Sequence, residues 1–486
     1  MCRKGMLIRT ANKLLRPRRM ADFKRGTTVD HNNDEMIVIV GAGVCGLTMA
    51  HLLAKDGRKV VLLERNPTVG GLARSFIYGD YIFDIGPHRF HTANKHVGQY
   101  IREILGEEGF YFPRKSTVYF RGEYYPWPLR PKSLLKFPLS IGIRAALDLA
   151  LNSFKKYEGD TFEAYVLRQY GPTLYRHFFM DYSEKFLKIH PKDTHADWAR
   201  TGINRAIIDD NVKMNNLFQV VRSMLANVNK EELNFLYPKG GLQTWCNRAA
   251  EAFLKEGGEL LLDVDRVELE HDGERITEVR AGERRWKPNH LIWTGSIIQL
   301  CELLGLPRPE LEYLAIVMFY VEVRAHLPEE FQWCYFGEKD TIFNRISNNI
   351  HFSPELAPWG CSGLEVEVSC MKGDEVWNNP ESIRERVIDD LLKVRLLSRR
   401  DEIRDIHIEK IPESYPIYHK DYRKRLKRTR DQLARWSNLT LAGRTGQFWY
   451  NNMDHSIGKA LSVVRKMLGQ DHHIEGANFG REDEEL

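Results

Sequence analysis

The feature that most constrains this chain is a glycine triplet with its surroundings intact. Residues 36–40 form a short, β-branched apolar run that leads into Gly41-Ala42-Gly43-Val44-Cys45-Gly46. A helix-like stretch covers 45–55, and a second apolar run, 59–63, ends in Glu64, eighteen residues beyond Gly46. Strand, glycine turn, helix and strand make a βαβ unit, the local frame of a dinucleotide site. Gly41 permits the tight turn, Gly43 lets the backbone approach a pyrophosphate, and Gly46 allows helix and strand to pack closely. The helix start at Val44 and Cys45 supplies partial positive charge for phosphates. Glu64 is placed to accept hydrogen bonds from an adenosine ribose, and an acid there disfavours a 2′-phosphate.

The residues after Glu64 extend the pattern. Arg65-Asn66-Pro67-Thr68-Val69-Gly70-Gly71-Leu72-Ala73-Arg74 carries paired glycines that let the chain run close under a second stretch of the dinucleotide. This pattern resembles the FAD-dependent superfamily of amine oxidases, phytoene desaturases and protoporphyrinogen oxidases. At the other end of the chain, the run 439–442 followed by Gly443-Arg444, a loop and a helix after Met453 resembles that superfamily's second cofactor motif. The resemblance implies that Arg444 meets the pyrophosphate and that the helix after Met453 aims its positive end at the flavin ring. Val267 completes the set that it assigns to the cofactor. It implies FAD, in an α/β fold with mixed α+β parts: a Rossmann-type FAD-binding domain, an inserted helical region and an antiparallel-sheet substrate domain.

Within that superfamily, Asp84-Ile85-Gly86-Pro87-His88-Arg89-Phe90-His91-Thr92 resembles the GPHxFHT signature of UDP-galactopyranose mutases and mutase-like flavoproteins. Tyr182-Ser183-Glu184-Lys185, Trp293-Thr294-Gly295-Ser296-Ile297, Leu311-Glu312-Tyr313-Leu314 and Phe343-Asn344-Arg345-Ile346 resemble further family motifs. The segment 237–242 instead resembles the oxidase and desaturase branch. In the mutases, the resemblance implies, reduced flavin is itself the nucleophile toward the anomeric carbon of a nucleotide sugar. His88, with Pro87 shaping its turn, is then expected beside the flavin as the catalytic side chain. Arg345 and Tyr450 are expected on the substrate diphosphate, with Arg205, Tyr418 and Asn452 as further pocket residues. Two departures bear on the substrate: Asn452 stands where the mutases carry an aspartate, and Gly202, flanked by Arg200 and Arg205, stands where the mutase-like group has an arginine.

Three readings follow. One is a mutase-like isomerase of a nucleotide sugar with no net redox change. The second is an FAD-dependent oxidase or desaturase, with the flavin as hydride acceptor. The third is a binding or escort protein of the same fold, against which the intact Gly41, Gly43, Gly46, Glu64 and Arg444 argue. A second GxGxxG is not found, and NAD(P)H stays open as an external reductant that stacks in the substrate pocket.

Organisation and composition fill in the rest. The expected parts are a basic tail (1–34), cofactor-domain segments (35–93, 231–300 and 426–486), a mostly helical insertion (94–230) and a sheet-containing substrate region (301–425). A net charge of +5 over 486 residues does not call for a nucleic-acid partner but suits an anionic ligand. The seven cysteines are odd in number and include no CxxC pair, so neither a disulfide framework nor a metal site is expected, and a reducing cytoplasm is. No apolar run reaches the roughly 18–20 residues of a membrane helix. The tail reads as a disordered arm, or as sequence preceding a start at Met20, with a membrane-touching or targeting role the alternative. A homo-oligomer is compatible with all of this.

Overall fold

The computed structural model describes residues 33–127, 138–152, 155–206 and 234–470. The basic tail therefore lies outside the described residues. Its organising element is a five-stranded sheet in the order Leu439–Leu441, His290–Trp293, Asn33–Val40, Arg58–Leu63, Glu259–Leu261. All four neighbouring pairs are parallel. Val38 and Ile39 of the central strand are both fully buried, which explains why it reads as a continuous apolar run rather than an alternation. The helix Val44–Lys55 leaves that strand through the glycine turn and packs between the helices Gln243–Lys255 and Met453–Met467.

A second sheet of seven strands stands beyond the ends of the first. Its order is Ile403–Pro416, Tyr313–Val323, Ser362–Cys370, Arg345–Asn348, Trp333–Phe336, Ser116–Phe120, Glu123–Trp127. It is antiparallel except where Trp333–Phe336 meets Ser116–Phe120 in parallel. Tyr313–Val323 is buried along its whole length, with neighbours on both sides.

Several expectations need adjusting. Among its described residues the segment 94–230 is not simply helical: besides the helices Lys95–Leu105, Leu139–Leu151, Phe162–Leu174, Asp181–Leu187 and Asp197–Ala206 it carries three strands. Gly109–Pro113 pairs with Asn234–Pro238, and Ser116–Phe120 with Glu123–Trp127 form the edge hairpin of the large sheet. That hairpin turns at Arg121 and Gly122, with φ of 51° and 83°, the doubly positive turn that matches strand twist. Pro126 is tolerated because Glu123–Trp127 is an edge strand. The helix Gln243–Lys255 begins only after Gly241, which takes a positive φ of 84° in the preceding turn. The strand Glu259–Leu261 is short because Asp263, at φ 55°, turns the chain alongside Glu64 and Asn66, where Val264 N donates to Glu64 O at 3.0 Å. Among the described residues no helix is long and apolar enough to cross a membrane.

Candidate active site

A cleft of about 350 Å³ opens between the carboxyl ends of the parallel strands and the large antiparallel sheet, the usual place for a ligand in an open α/β sheet. Of the residues expected at the cofactor, Gly41, Gly43, Val44, Cys45, Glu64, Arg65, Gly70, Gly71, Leu72, Ala73, Arg74, Pro87, His88, Val267, Gly443, Arg444 and Met453 all line it. Gly46 does not. It lies against the turn, where an added Cβ would come within 2.0 Å of Gly41 O. A Cβ on Gly43, by contrast, would meet no protein atom within 4 Å and would project into open space.

The nucleotide end is built mainly from backbone. The first turn of Val44–Lys55 has neither a side-chain cap nor an acidic residue, so its N–H groups stay available to an anion. Gly71 closes over it, with its would-be Cβ 3.2 Å from Gly43 Cα. The Glu64 carboxylate is buried, and most of its capacity is used within the protein. Oε1 accepts from Asn66 N (2.9 Å) and Asn66 Nδ2 (2.6 Å), and Oε2 accepts from Ala42 N (2.8 Å). One acceptor position remains on Oε2, enough for one ribose hydroxyl. Arg74 lies over the Phe76 ring at 5.0 Å with a buried Nε that has no partner, and burial lowers its pKa. An open path at Gly43, an uncapped helix start and an unsatisfied guanidinium fit the pyrophosphate of a flavin dinucleotide.

At the other end the loop 84–92 carries His88 into the cleft. Asp84 anchors its base, accepting from Ser75 Oγ (2.5 Å), Tyr237 OH (2.6 Å) and Leu242 N (3.3 Å). The oxidase-like segment 237–242 thus serves here as a brace for the mutase-like loop. Gly86, at φ 77°, leaves no room for a side chain: its Cβ would sit 2.4 Å from Glu367 Oε1 and 3.1 Å from an Arg345 terminal nitrogen.

Arg345 and Glu367 are register partners on adjacent strands. Arg345 Nε donates to Glu367 Oε1 at 2.6 Å, one terminal nitrogen lies 2.5 Å from the same oxygen, and that nitrogen also donates to Tyr415 OH at 3.0 Å. Burial works against the charge of Arg345, but the wholly buried Glu367 carboxylate and Tyr415 keep its pKa well above the ordinary value. Lys185, from the 182–185 motif, fixes the approach to this strand by donating to Glu338 O (2.7 Å) and Phe343 O (2.9 Å). His88 meets Arg345, Arg444 and Arg89 together. Burial first, and then these three guanidinium groups, push its imidazole down to about 3, so the ring is neutral at physiological pH.

The remaining expectations divide. Tyr450 and Asn452 line the cleft. Tyr418 does not: its ring is buried against Tyr422, centroids 4.2 Å apart, and its hydroxyl accepts from Tyr450 N at 2.8 Å. It positions the pocket tyrosine and does not line the pocket itself. The Arg205 side chain lies outside the described residues. Arg200 turns to Asp197, at 2.9 Å, while Thr201 lines the cleft. Arg444 reaches the cleft, yet its terminal nitrogens donate to Asn451 O (2.8 Å) and Ser414 O, and its guanidinium lies over the rings of Tyr415 (4.8 Å) and Tyr450 (4.7 Å). The helix Met453–Met467 does begin at the cleft, but its first turn carries Asp454, which offsets part of the positive end.

Thr294 and Arg89 stood in quoted motifs without a site role, and Tyr415 and Asp265 were not singled out; all four line the cleft. Thr294 Oγ1 lies 2.9 Å from both Val40 O and Gly41 O and stitches the glycine turn to the neighbouring strand. Its place directly after a parallel strand was a usable signal. Tyr415 gave none, since it lies at the end of a fourteen-residue strand far away in sequence.

A profile of the NAD(P)-binding Rossmann-like domain family matches residues 39–104. A probable UDP-galactopyranose mutase of Klebsiella pneumoniae is 30% identical over 195 residues, 38% of this chain and 50% of that protein. The dTDP-fucopyranose mutase of Escherichia coli is 26% identical over 189 residues, 36% of this chain and 48% of its own length. The chain thus spans about half the length of these curated relatives. The crystal structure of a reduced UDP-galactopyranose mutase superposes with a TM-score of 0.79 at 22% identity, covering 93% of this chain and 98% of the other. In sequence over part of its length and in fold over nearly all of it, the chain is similar to the UDP-galactopyranose mutase-like branch of the FAD-dependent amine oxidase superfamily.

Proposed function

We propose that this chain is an FAD-dependent enzyme that interconverts the pyranose and furanose forms of a nucleotide-linked sugar, in the cytoplasm. The observation that carries the reading is the Arg345 fork, held charged over the buried Glu367 beside a neutral His88 at the far end of the cleft from Glu64. A planar guanidinium in that position suits a diphosphate rather than an apolar or amine substrate.

Bound, reduced flavin supplies the nucleophile for the anomeric carbon. The chain's own residues do the rest. Arg345 holds the diphosphate while its bond to the sugar breaks and later re-forms, so no electrons are gained or lost overall. The neutral imidazole of His88 fills the space beside the ring without adding a fourth positive charge. Tyr450, fixed by Tyr418 through its backbone and stacked on Trp198 at 4.8 Å, walls the sugar from water. Asn452 stands at the pocket rim where the mutases carry an aspartate, and Gly202 where the mutase-like group has an arginine, so the sugar and nucleotide need not be those of the relatives.

The test is titration of the dithionite-reduced, flavin-loaded protein with UDP, GDP, dTDP and their sugars, followed by cyanoborohydride trapping. Nucleotide binding with a trapped flavin–sugar adduct is the expected outcome, and the adduct names the sugar. Flavin present with no nucleotide bound would overturn the reading in favour of an oxidase or desaturase. Arg345→Lys keeps the charge over Glu367 but loses the fork, and is expected to weaken nucleotide-diphosphate binding by about 1.5–3 kcal/mol with the flavin retained.

A further inference from the structure

Arg89 is a second guanidinium in the same cleft, and among the described residues it has no carboxylate in direct contact. Its side chain lies over the rings of Phe235 (4.9 Å) and Trp333 (4.8 Å). Among the described residues it makes a long donation to Pro87 O at 3.2 Å, and its buried Nε has no partner there. Among the described residues no carboxylate lies within 4.0 Å of it, although Asp454 and the neighbouring Arg345 are both within electrostatic reach. Stacking on aromatic faces offsets only a small part of the cost of burying an unpaired charge. A cation built into a wall on those terms is poised for an anion that arrives from outside.

The other cations of the cleft sharpen the point. Arg345 already has Glu367, and the terminal nitrogens of Arg444 are given to the carbonyls of Ser414 and Asn451. Arg200, on the helix across the cleft, is committed to Asp197. Arg74 faces the nucleotide end, against Phe76 and near Glu64. Arg89 and Arg345 therefore flank His88 from two different elements, the loop 84–92 and the strand Arg345–Asn348, with unspent donors on both sides.

We propose that Arg89 is the second anion-binding arm of the substrate pocket, and that it and Arg345 grip a nucleoside diphosphate from opposite sides, one guanidinium to each phosphate. The inference rests on the reading of the substrate as a nucleotide diphosphate and assigns to this chain a residue that selects diphosphate over monophosphate.

The flavin-loaded protein and its Arg89→Met variant are titrated calorimetrically with UDP, GDP and dTDP, each against its own monophosphate. Methionine keeps an apolar stem against Trp333 and Phe235 and removes the charge. The expected result is a loss of diphosphate affinity of roughly 10–100-fold, with the monophosphate changed by less than about threefold and flavin content unaltered. Arg89→Lys is expected to recover part of the loss, and it decides the matter if the methionine variant does not fold. Equal losses for diphosphate and monophosphate, or no loss in either variant, would overturn the assignment while leaving the proposed function standing. A flavin-free variant would reassign Arg89 to the cofactor. A wild-type protein indifferent to every nucleotide would sink both readings at once.

Discussion

The two ends of the cleft are built on opposite plans. At the nucleotide end the polypeptide itself makes the site: Gly41, Gly43, Gly46, Gly70 and Gly71 bring backbone to backbone, and charge enters through helix geometry. At the end proposed for the substrate, side chains make it, and charges are set directly against one another, with Glu367 under Arg345 and three guanidinium groups around His88. The first plan fails through crowding and the second through loss of a counter-charge. A single substitution at either end should therefore leave a different signature.

The largest effect is expected at the charged end. Glu367→Ala strands the Arg345 cation in a buried position and should cost about 3–5 kcal/mol in denaturant unfolding. Converting both partners to leucine should restore most of that stability while nucleotide binding stays lost. If the single variant were as stable as the parent, the pair would not be the keystone of this end.

The glycine end splits into two outcomes. Gly46→Ala forces a methyl group into Gly41 O and should destabilise the fold by about 1–3 kcal/mol even without flavin. Gly43→Ala meets no protein atom, so the flavin-free protein should melt with the parent, yet the purified variant should be colourless because the methyl occupies the phosphate path. Equal melting shifts for both variants would erase the distinction between packing glycine and ligand glycine.

The remaining signature is a pH dependence, spread over several units. His88 titrates at 6.5 when unfolded and is pushed down to about 3 in the fold, so below 6.5 the unfolded chain binds the extra proton. Stability is then lost as pH falls through that window, by up to about 1.4 kcal/mol per unit. His88→Asn should flatten the slope measured between pH 6 and pH 4, and an unchanged slope would show that the imidazole is protonated in the fold.

The same division governs what could be read from the chain. The nucleotide end was legible because its logic is local: the spacing of Gly41, Gly43, Gly46 and Glu64 lies within 24 residues and dictates a turn, a helix start and an acid in fixed relation. At the substrate end Arg345 and Tyr450 came from motif resemblance, but their working partners did not. Glu367 and Tyr415 come from separate strands whose sequences, 362–370 and 403–416, look like ordinary sheet. Only strand register brings them under Arg345. Tyr418 was misplaced for the converse reason, since an aromatic near the pocket in sequence turned inward to hold Tyr450. The hairpin 116–127 hid inside a segment that the helices around it made look uniform.

The strand order of the parallel sheet carries a consequence for how the protein comes into being. Asn33–Val40 occupies the centre, yet one of its neighbours is His290–Trp293, and the strand beyond that is Leu439–Leu441. The cleft wall likewise runs from Val40 to Ser456. During synthesis, then, the glycine turn waits while about 400 further residues are made before Gly443 and Met453 arrive to complete the cavity. A growing chain has no finished receptacle to fill until those late residues are in place, so the cleft is completed by the part of the wall that is made last.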